Sequence, residues 1–515
     1  MPVAELAGRR WDVIVVGGGH NGLAAAAYLA RGGQRTLVLE RRERLGGACS
    51  LERPFTDPGY LISPCAYLVG LLHPLVIREL DLAARGYRVF TCDPSQWTPF
   101  LDGTSLTEWK DPDRTAESVR ALSPGDVDGY LAYQDVYRRI RAGLRSLDPA
   151  LDTWVGDSPD RGELEARLAG DSEAIEALFE LPVADLVERY VRDERLRTAL
   201  HGAGVIGTWA GPRDSGTAGV RAMHNLGLLD GWGYVEGGMG RVSFALADAA
   251  IESGAVLATG TPVARIEPGN GVWLDDGTLL RANSVVSNAD PHRTLALVGA
   301  CAPSSWRARI SAWDVRSPVL KLNCALTRLP RFSAGDGSCD HIYRSMVVLS
   351  SGIDDTQAAF VAACGGEVAP EWCELYFQTA YDPSVAPAGR HTMSVFAQYA
   401  PYQLRDGDWD TRRDEIAGRL LRRIGRWAPD VGDCVEQWEL LGPPDIEARI
   451  GLTGGHIFQG SCLPRQMWDR RLPARTPMAG LYLCGAATHP GGSVIGINGR
   501  NAAMAVLADH ARLRQ

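Results

Sequence analysis

Near its start the chain runs through an unbroken apolar stretch at residues 13–16, a cluster of glycines, an alanine-rich stretch and a second apolar stretch at 36–39. Apolar runs of this length bounded by turn formers predict strands buried on both faces, and the alanine-rich stretch between them predicts a close-packed helix. That order is a strand–helix–strand unit of the kind that builds a parallel sheet. Residues 126–147 and 172–200 carry apolar positions at helical spacing and predict a helical cap. Residues 242–253 read as an amphipathic helix, followed by short strands at 255–257 and 262–266. A hairpin is predicted at 272–274 and 278–280 around Asp275-Asp276-Gly277, then an apolar strand at 284–286. Residues 295–458 read as strands mixed with helices and carry no nucleotide motif. The chain closes with a short strand after Gly480, a glycine-rich loop and a helix over 498–512.

The glycines after the first strand give that unit its chemistry. They read Gly17-x-Gly19-x-x-Gly22, with His20 and Asn21 inside the motif. This spacing permits a tight turn, lets the backbone approach a pyrophosphate, and sets the phosphate charge at the positive end of the helix. Glu40 ends the second strand, eighteen residues past Gly22, where an acidic group accepts hydrogen bonds from a ribose and disfavours a 2′-phosphate. Gly202-Ala-Gly204-Val-Ile-Gly207 fits the same pattern, but a charged, helix-like segment precedes it and Thr-Trp-Ala-Gly-Pro follows. It reads as a loop or turn in the substrate domain.

At 515 residues the chain is long enough for two joined domains, and 45% hydrophobic with 22% charged residues is ordinary for a globular protein. A net charge of −9 leaves no basic footprint for nucleic acid. Eleven cysteines without a CxxC pair argue for a reducing compartment, and ten histidines without HExxH or a close cluster argue against a dedicated metal. No apolar leader precedes the first strand, so the expected location is cytoplasmic. The longest apolar stretch, 61–77, is broken by Pro64, His73 and Pro74; it reads as packing beneath a cofactor or as lining for a lipophilic substrate. Residues 410–427 predict a helix whose arginines form a solvated face, with peripheral contact to an anionic membrane surface as the alternative.

Several segments together carry a resemblance: the glycine motif, Glu40-Arg41-Arg42 leading to Gly46-Gly47, the glycine-rich return 231–241, the strand ending at Ser287-Asn288, and the loop 480–496 with His489-Pro-Gly-Gly492. In these the chain resembles the flavin-containing amine oxidase and phytoene desaturase superfamily, nearest its phytoene desaturase-like branch, over almost its whole length. The resemblance implies FAD and an α/β fold: a three-layer ββα Rossmann-type domain from 1–70, 225–300 and 470–515. A discontinuous α+β substrate and cap domain would come from 71–224 and 301–469. It implies that Arg42, with Arg41 beside it, approaches the pyrophosphate, and that Gly47 and Ala48 let the backbone pass close. Val263 would lie along the adenine through its backbone, Asn288 would bind the cofactor from the same middle segment, and Gly485, Gly492, Val494 and Ile495 would bind it from the C-terminal loop, whose helix amides point at the isoalloxazine.

That branch contains desaturases, isomerases and other oxidoreductases, so cofactor and fold follow better than substrate. The leading expectation is an FAD-dependent dehydrogenation of a hydrophobic or polycyclic small molecule, with hydride passing to flavin N5 and reoxidation by oxygen, a quinone or another acceptor. A redox-neutral double-bond isomerase and a lipid-binding chaperone of the GDP-dissociation-inhibitor type are the alternatives. A single dinucleotide motif predicts no separate nicotinamide domain. His489, inside the C-terminal loop, and His224, before the glycine-rich return, are the candidate acid/base residues. Tyr67, Trp232 and Tyr234 are the candidate pocket walls.

Overall fold

The computed structural model describes residues 3–335 and 340–513. Two seven-stranded sheets organise it. In the first, the parallel strands Val256–Ala258, Thr36–Leu39, Trp11–Val16, Leu279–Ser287 and Leu481–Leu483 lie side by side in that order. The apolar residues of Thr36–Leu39, Trp11–Val16 and Leu481–Leu483 are all buried, as unbroken runs require. The helix His20–Arg31 buries every residue from Asn21 to Ala30. Small side chains permit this: a β-carbon on Gly499 of the helix Ile497–Leu513 would lie 2.2 Å from the Asn21 carbonyl. The predicted hairpin and the strand after it are one feature, because Leu279–Ser287 starts against Gly271–Leu274 and finishes in the parallel sheet.

The second sheet draws its strands from Gln96–Pro99, Ser105–Glu108, Val319–Leu326, Met346–Ser350, Trp372–Tyr376, His391–Gln398 and Val435–Leu441. Register across three of them sets up the site. Lys321 stands opposite Phe396, and Phe396 opposite Glu374. Directly paired residues on neighbouring strands point to one face, so these three side chains form a row.

Helices Val127–Leu144, Ser172–Phe179, Val183–Tyr190 and Thr217–Asn225 pack on one another in the stretch expected to be a cap. A buried cluster ties it to the first sheet's half: His73 Nε2 lies 3.1 Å from Asp152, and Arg145 donates to Asp152 at 2.8 Å. The second glycine triplet opens as a single 3-10 turn at Gly202–Gly204 after the helix Glu194–Leu200. β-Carbons at Gly202, Gly204 and Gly207 would strike Trp372, Val183 and Phe458, so these glycines serve packing. On the helix Trp409–Ile424, Arg413 bonds Asp445, Arg412 bonds Glu415, Arg419 donates to the Val368 carbonyl, and Arg423 pairs with Glu371. Among the described residues no helix is long and apolar enough to cross a membrane.

Burial pushes five histidines far below their ordinary 6.5: His20, His201, His224 and His489 to about 4, and His456 to about 3. At pH above 6.5 they are neutral folded or unfolded. As pH falls below 6.5 the unfolded chain takes up protons that the folded chain refuses, so stability is lost. Each contributes about 1.4 kcal/mol per pH unit. Glu374, raised by burial to about 7, opposes them with one proton. We expect stability to fall as pH drops from about 6 to 4.5, read as a falling Tm. A flat profile would mean that these histidines are solvated.

Candidate functional site

The strand Trp11–Val16 delivers its glycines to the start of His20–Arg31, whose first turn has Gly19 as its cap and, among the described residues, no side-chain cap for its amides. A β-carbon on Gly22 would lie 2.2 Å from the Gly17 carbonyl, so the turn closes only with glycine there. Gly19 has its own constraint, with Asn288 Nδ2 2.8 Å from where its β-carbon would be. Asn288 in turn donates to the Gly17 carbonyl at 3.2 Å. Gly46 and Gly47, both at positive φ, strap the far side, with Gly46 N–H donating to the Gly18 carbonyl at 2.8 Å.

The groove so formed has a volume of about 310 Å³ and is lined by Gly17, Gly19, His20, Asn21, Glu40, Arg41, Gly47, Ala48, Val263 and Asn288. Open amides at a helix N-terminus suit a pyrophosphate. Buried Glu40 accepts from Gly18 N–H at 2.8 Å and from Arg42 N–H at 2.9 Å, which leaves lone pairs for two ribose hydroxyls. Burial and the neighbouring Arg293 both disfavour the charge on Arg41, and an anion in the groove relieves both. The groove therefore fits an adenine dinucleotide. Replacing Glu40 with alanine should weaken FAD binding by about 1.5–3 kcal/mol, roughly ten- to a hundredfold in Kd, by equilibrium titration of the apoprotein. Unchanged affinity would place the ribose elsewhere.

A second cavity, about 170 Å³, opens off the first, and His20, Ala48, Leu452, Ile457 and Ala486 line both. Its wall is largely apolar: Ile206, Val319, Met346, Phe396, Ile446 and Phe458, with Tyr67 and Trp232 of the expected set. The loop before the C-terminal helix enters it through Ser493 and Val494, held at φ +81° and +57°. A β-branched residue in that region is strained, which marks the loop as held in place for contact with a ligand. His224 also lines this cavity. Its Nδ1 lies 2.9 Å from the Val220 carbonyl and must donate there, so Nε2 is the unprotonated nitrogen, and it has no hydrogen-bond partner among the described residues. Burial lowers His224 and His20 to about 4, so both are neutral near pH 7.

Four expectations are corrected by placement. His489 does not face the cavity: its Nε2 donates to the Thr153 carbonyl at 2.7 Å, which turns the ring into a separate pocket beside Arg309 and Arg471. Arg42 is turned away by a 2.6 Å pair with Glu52, and Arg41 lines the groove in its place. Tyr234 is buried behind the cavity wall, its hydroxyl accepting from Phe377 N–H at 3.1 Å. Ile495 is buried in packing, and its carbonyl accepts from His73 N–H at 3.0 Å. Gly485 and Gly492 act by making room, since β-carbons there would meet Gln459 Oε1 at 2.3 Å and Phe458 at 2.4 Å.

Sequence reasoning missed Lys321, Glu374, Tyr376 and Phe396. The signal was present: Lys321 and Glu374 each interrupt an otherwise apolar run, Val-Leu-Lys-Leu and Trp-Cys-Glu-Leu-Tyr, in strands with buried backbones. A charge in a strand buried on both faces calls for a cavity or a partner.

Residues 22–298 match the family of flavin-containing amine oxidoreductases. The mouse pyridine nucleotide-disulfide oxidoreductase domain-containing protein 2 is 34% identical, covering 97% of this chain and 94% of its own. Unlike what that name suggests, this sequence holds no CxxC pair. A limonene dehydrogenase subunit from Castellaniella defragrans is 26% identical over 97% of this chain and 95% of its own. Among solved structures, cyclohexylamine oxidase from Brevibacterium oxydans shares the fold, with a TM-score of 0.58 at 19% identity, covering 98% of this chain and all of its own. With an open helix N-terminus, a ribose acid and a glycine strap in one groove, and with matches of this extent, the chain belongs to the flavin-containing amine oxidoreductase family and is an FAD-dependent oxidoreductase of the amine oxidase and desaturase superfamily.

Proposed function

We propose that the protein dehydrogenates a hydrophobic small molecule. The observation that carries this reading is the apolar cavity that opens directly off the dinucleotide groove and shares five of its lining residues. Bound FAD supplies an acceptor for a hydride at N5. The chain's own residues do the rest. Ile206, Phe396, Phe458 and Ile457 hold an apolar body and exclude water. His224 takes the proton from the carbon next to the one that loses hydride. A weak neutral base is enough, because that C–H becomes strongly acidic as the hydride departs. His20, neutral and at the junction of groove and cavity, donates or accepts one hydrogen bond there without adding charge.

The test is anaerobic mixing of holoenzyme with a panel of compact terpenes, terpene alcohols and alkylamines while following bleaching of the oxidised flavin. Bleaching by a terpenoid and none by the alkylamines supports the reading. Bleaching by amines alone would replace it with amine oxidation. The acceptor that restores the colour afterwards, oxygen or a quinone, identifies the second half of the cycle.

A further inference from the structure

The row Lys321–Phe396–Glu374 forms part of the cavity wall, and its two ends are ionisable. Strands about 4.8 Å apart set Lys321 and Glu374 on either side of the Phe396 ring. Both are nearly sealed from solvent, at 1% and 3% exposure. Lys321 Nζ donates to Ser394 Oγ and sits 3.9 Å from the centre of the Tyr67 ring. Tyr376 Oη donates to Glu374 Oε2. No ion pair joins Lys321 to Glu374, or either of them to another charged side chain, among the described residues. Two buried groups of opposite type, each held by one uncharged hydroxyl, thus face one small space without pairing, and each keeps hydrogen-bonding capacity to spare.

Near neutral pH the pair shares its proton in one of two arrangements of zero net charge: ammonium with carboxylate, or amine with carboxylic acid. An ammonium or carboxylate brought into this cavity would leave one uncompensated buried charge. A pure hydrocarbon would leave both polar ends unbridged. A hydroxyl or carbonyl satisfies them, because Lys321 donates and Glu374 either accepts from a hydroxyl or, protonated, donates to an oxygen. Volume limits the rest of the molecule, because the cavity of about 170 Å³ also takes in whatever part of the flavin the Ser493–Val494 loop contacts.

We propose that this cavity selects a compact, uncharged molecule bearing one hydroxyl or carbonyl, with that group seated between Lys321 and Glu374 and the apolar body against Phe396. This rests on the reading of the cavity as the substrate site.

The test uses four molecules that share one ring skeleton: cyclohexylmethanol, methylcyclohexane, cyclohexylmethylamine and cyclohexanecarboxylic acid. Each is titrated anaerobically into holoenzyme while perturbation of the flavin absorption band is followed. The alcohol should bind roughly ten- to a hundredfold tighter than the hydrocarbon, and tighter than the amine and the acid. Glu374→Gln should erase the preference for the alcohol and raise affinity for the acid, because Lys321 is left without its counter-charge. Lys321→Met should raise affinity for the amine. Equal binding of alcohol and hydrocarbon, absence of perturbation by all four, or an unchanged ranking in Glu374→Gln would overturn the proposal. Should Lys321→Met fail to retain FAD, the nearly isosteric Glu374→Gln decides alone. Binding rank is read without turnover, so flavin bleaching by other compounds would leave the dehydrogenase reading standing while this one falls.

Discussion

Gly19→Val should give a folded protein without flavin. The β-carbon would come within 2.8 Å of Asn288 Nδ2, and the branches would project into the groove between the helix amides and Gly47. Asn288 cannot retreat without giving up its hydrogen bond to the Gly17 carbonyl. The matched control is Gly204→Val in the other glycine triplet. There the new side chain meets Val183 in the cap core, 2.7 Å from its β-carbon, so the cost is overpacking of about 1–3 kcal/mol. The ratio of bound flavin to folded protein, with Tm measured in parallel, separates the two. The Gly19 variant should lose flavin and keep its fold, and the Gly204 variant should lose stability and keep its flavin. The reverse pattern would assign the dinucleotide to the wrong motif.

His224→Gln should slow flavin reduction on the order of 10²–10⁴-fold in a single anaerobic turnover with a panel member that bleaches the wild type. The substitution preserves bulk and removes a neutral nitrogen at the cavity that lacks a partner among the described residues. His489→Ala is the comparison. It removes a hydrogen bond to the Thr153 carbonyl and should lower Tm, with the reduction rate per bound flavin unchanged. Equal reduction rates in wild type and His224→Gln would leave the chemistry to positioning alone. A slow His489 variant at full flavin occupancy would bring that histidine back into the reaction.

The half that binds the dinucleotide was legible because local rules fix it. An apolar run, three glycines at set spacing, an alanine-rich helix and an acid at the end of the next strand each follow from backbone geometry or phosphate chemistry. The structure places Gly17, Gly19, Glu40 and Val263 around one groove. What escaped depends on side-chain direction and on partners distant in sequence. Arg41 and Arg42 are adjacent, and only the pairing of Arg42 with Glu52 decides which one faces the groove. His489 sits in a loop bound for the cavity, yet a carbonyl from the cap, 336 residues away in sequence, captures its ring. The substrate wall was least legible. Lys321 and Glu374 come to one cavity wall only through the register of antiparallel strands, and register is set by the folded sheet.

The central claim is net dehydrogenation at the bound flavin, and the mass of the product from one anaerobic turnover tests it most directly. Holoenzyme is mixed with a limiting amount of a compound that bleaches the flavin, and the product is analysed by mass spectrometry before any acceptor is admitted. The account predicts a product lighter than its substrate by two hydrogens, in an amount equal to the flavin reduced. A product of unchanged mass, formed in excess of the flavin and only after the flavin has been reduced by an added donor, would contradict it and identify a redox-neutral isomerase.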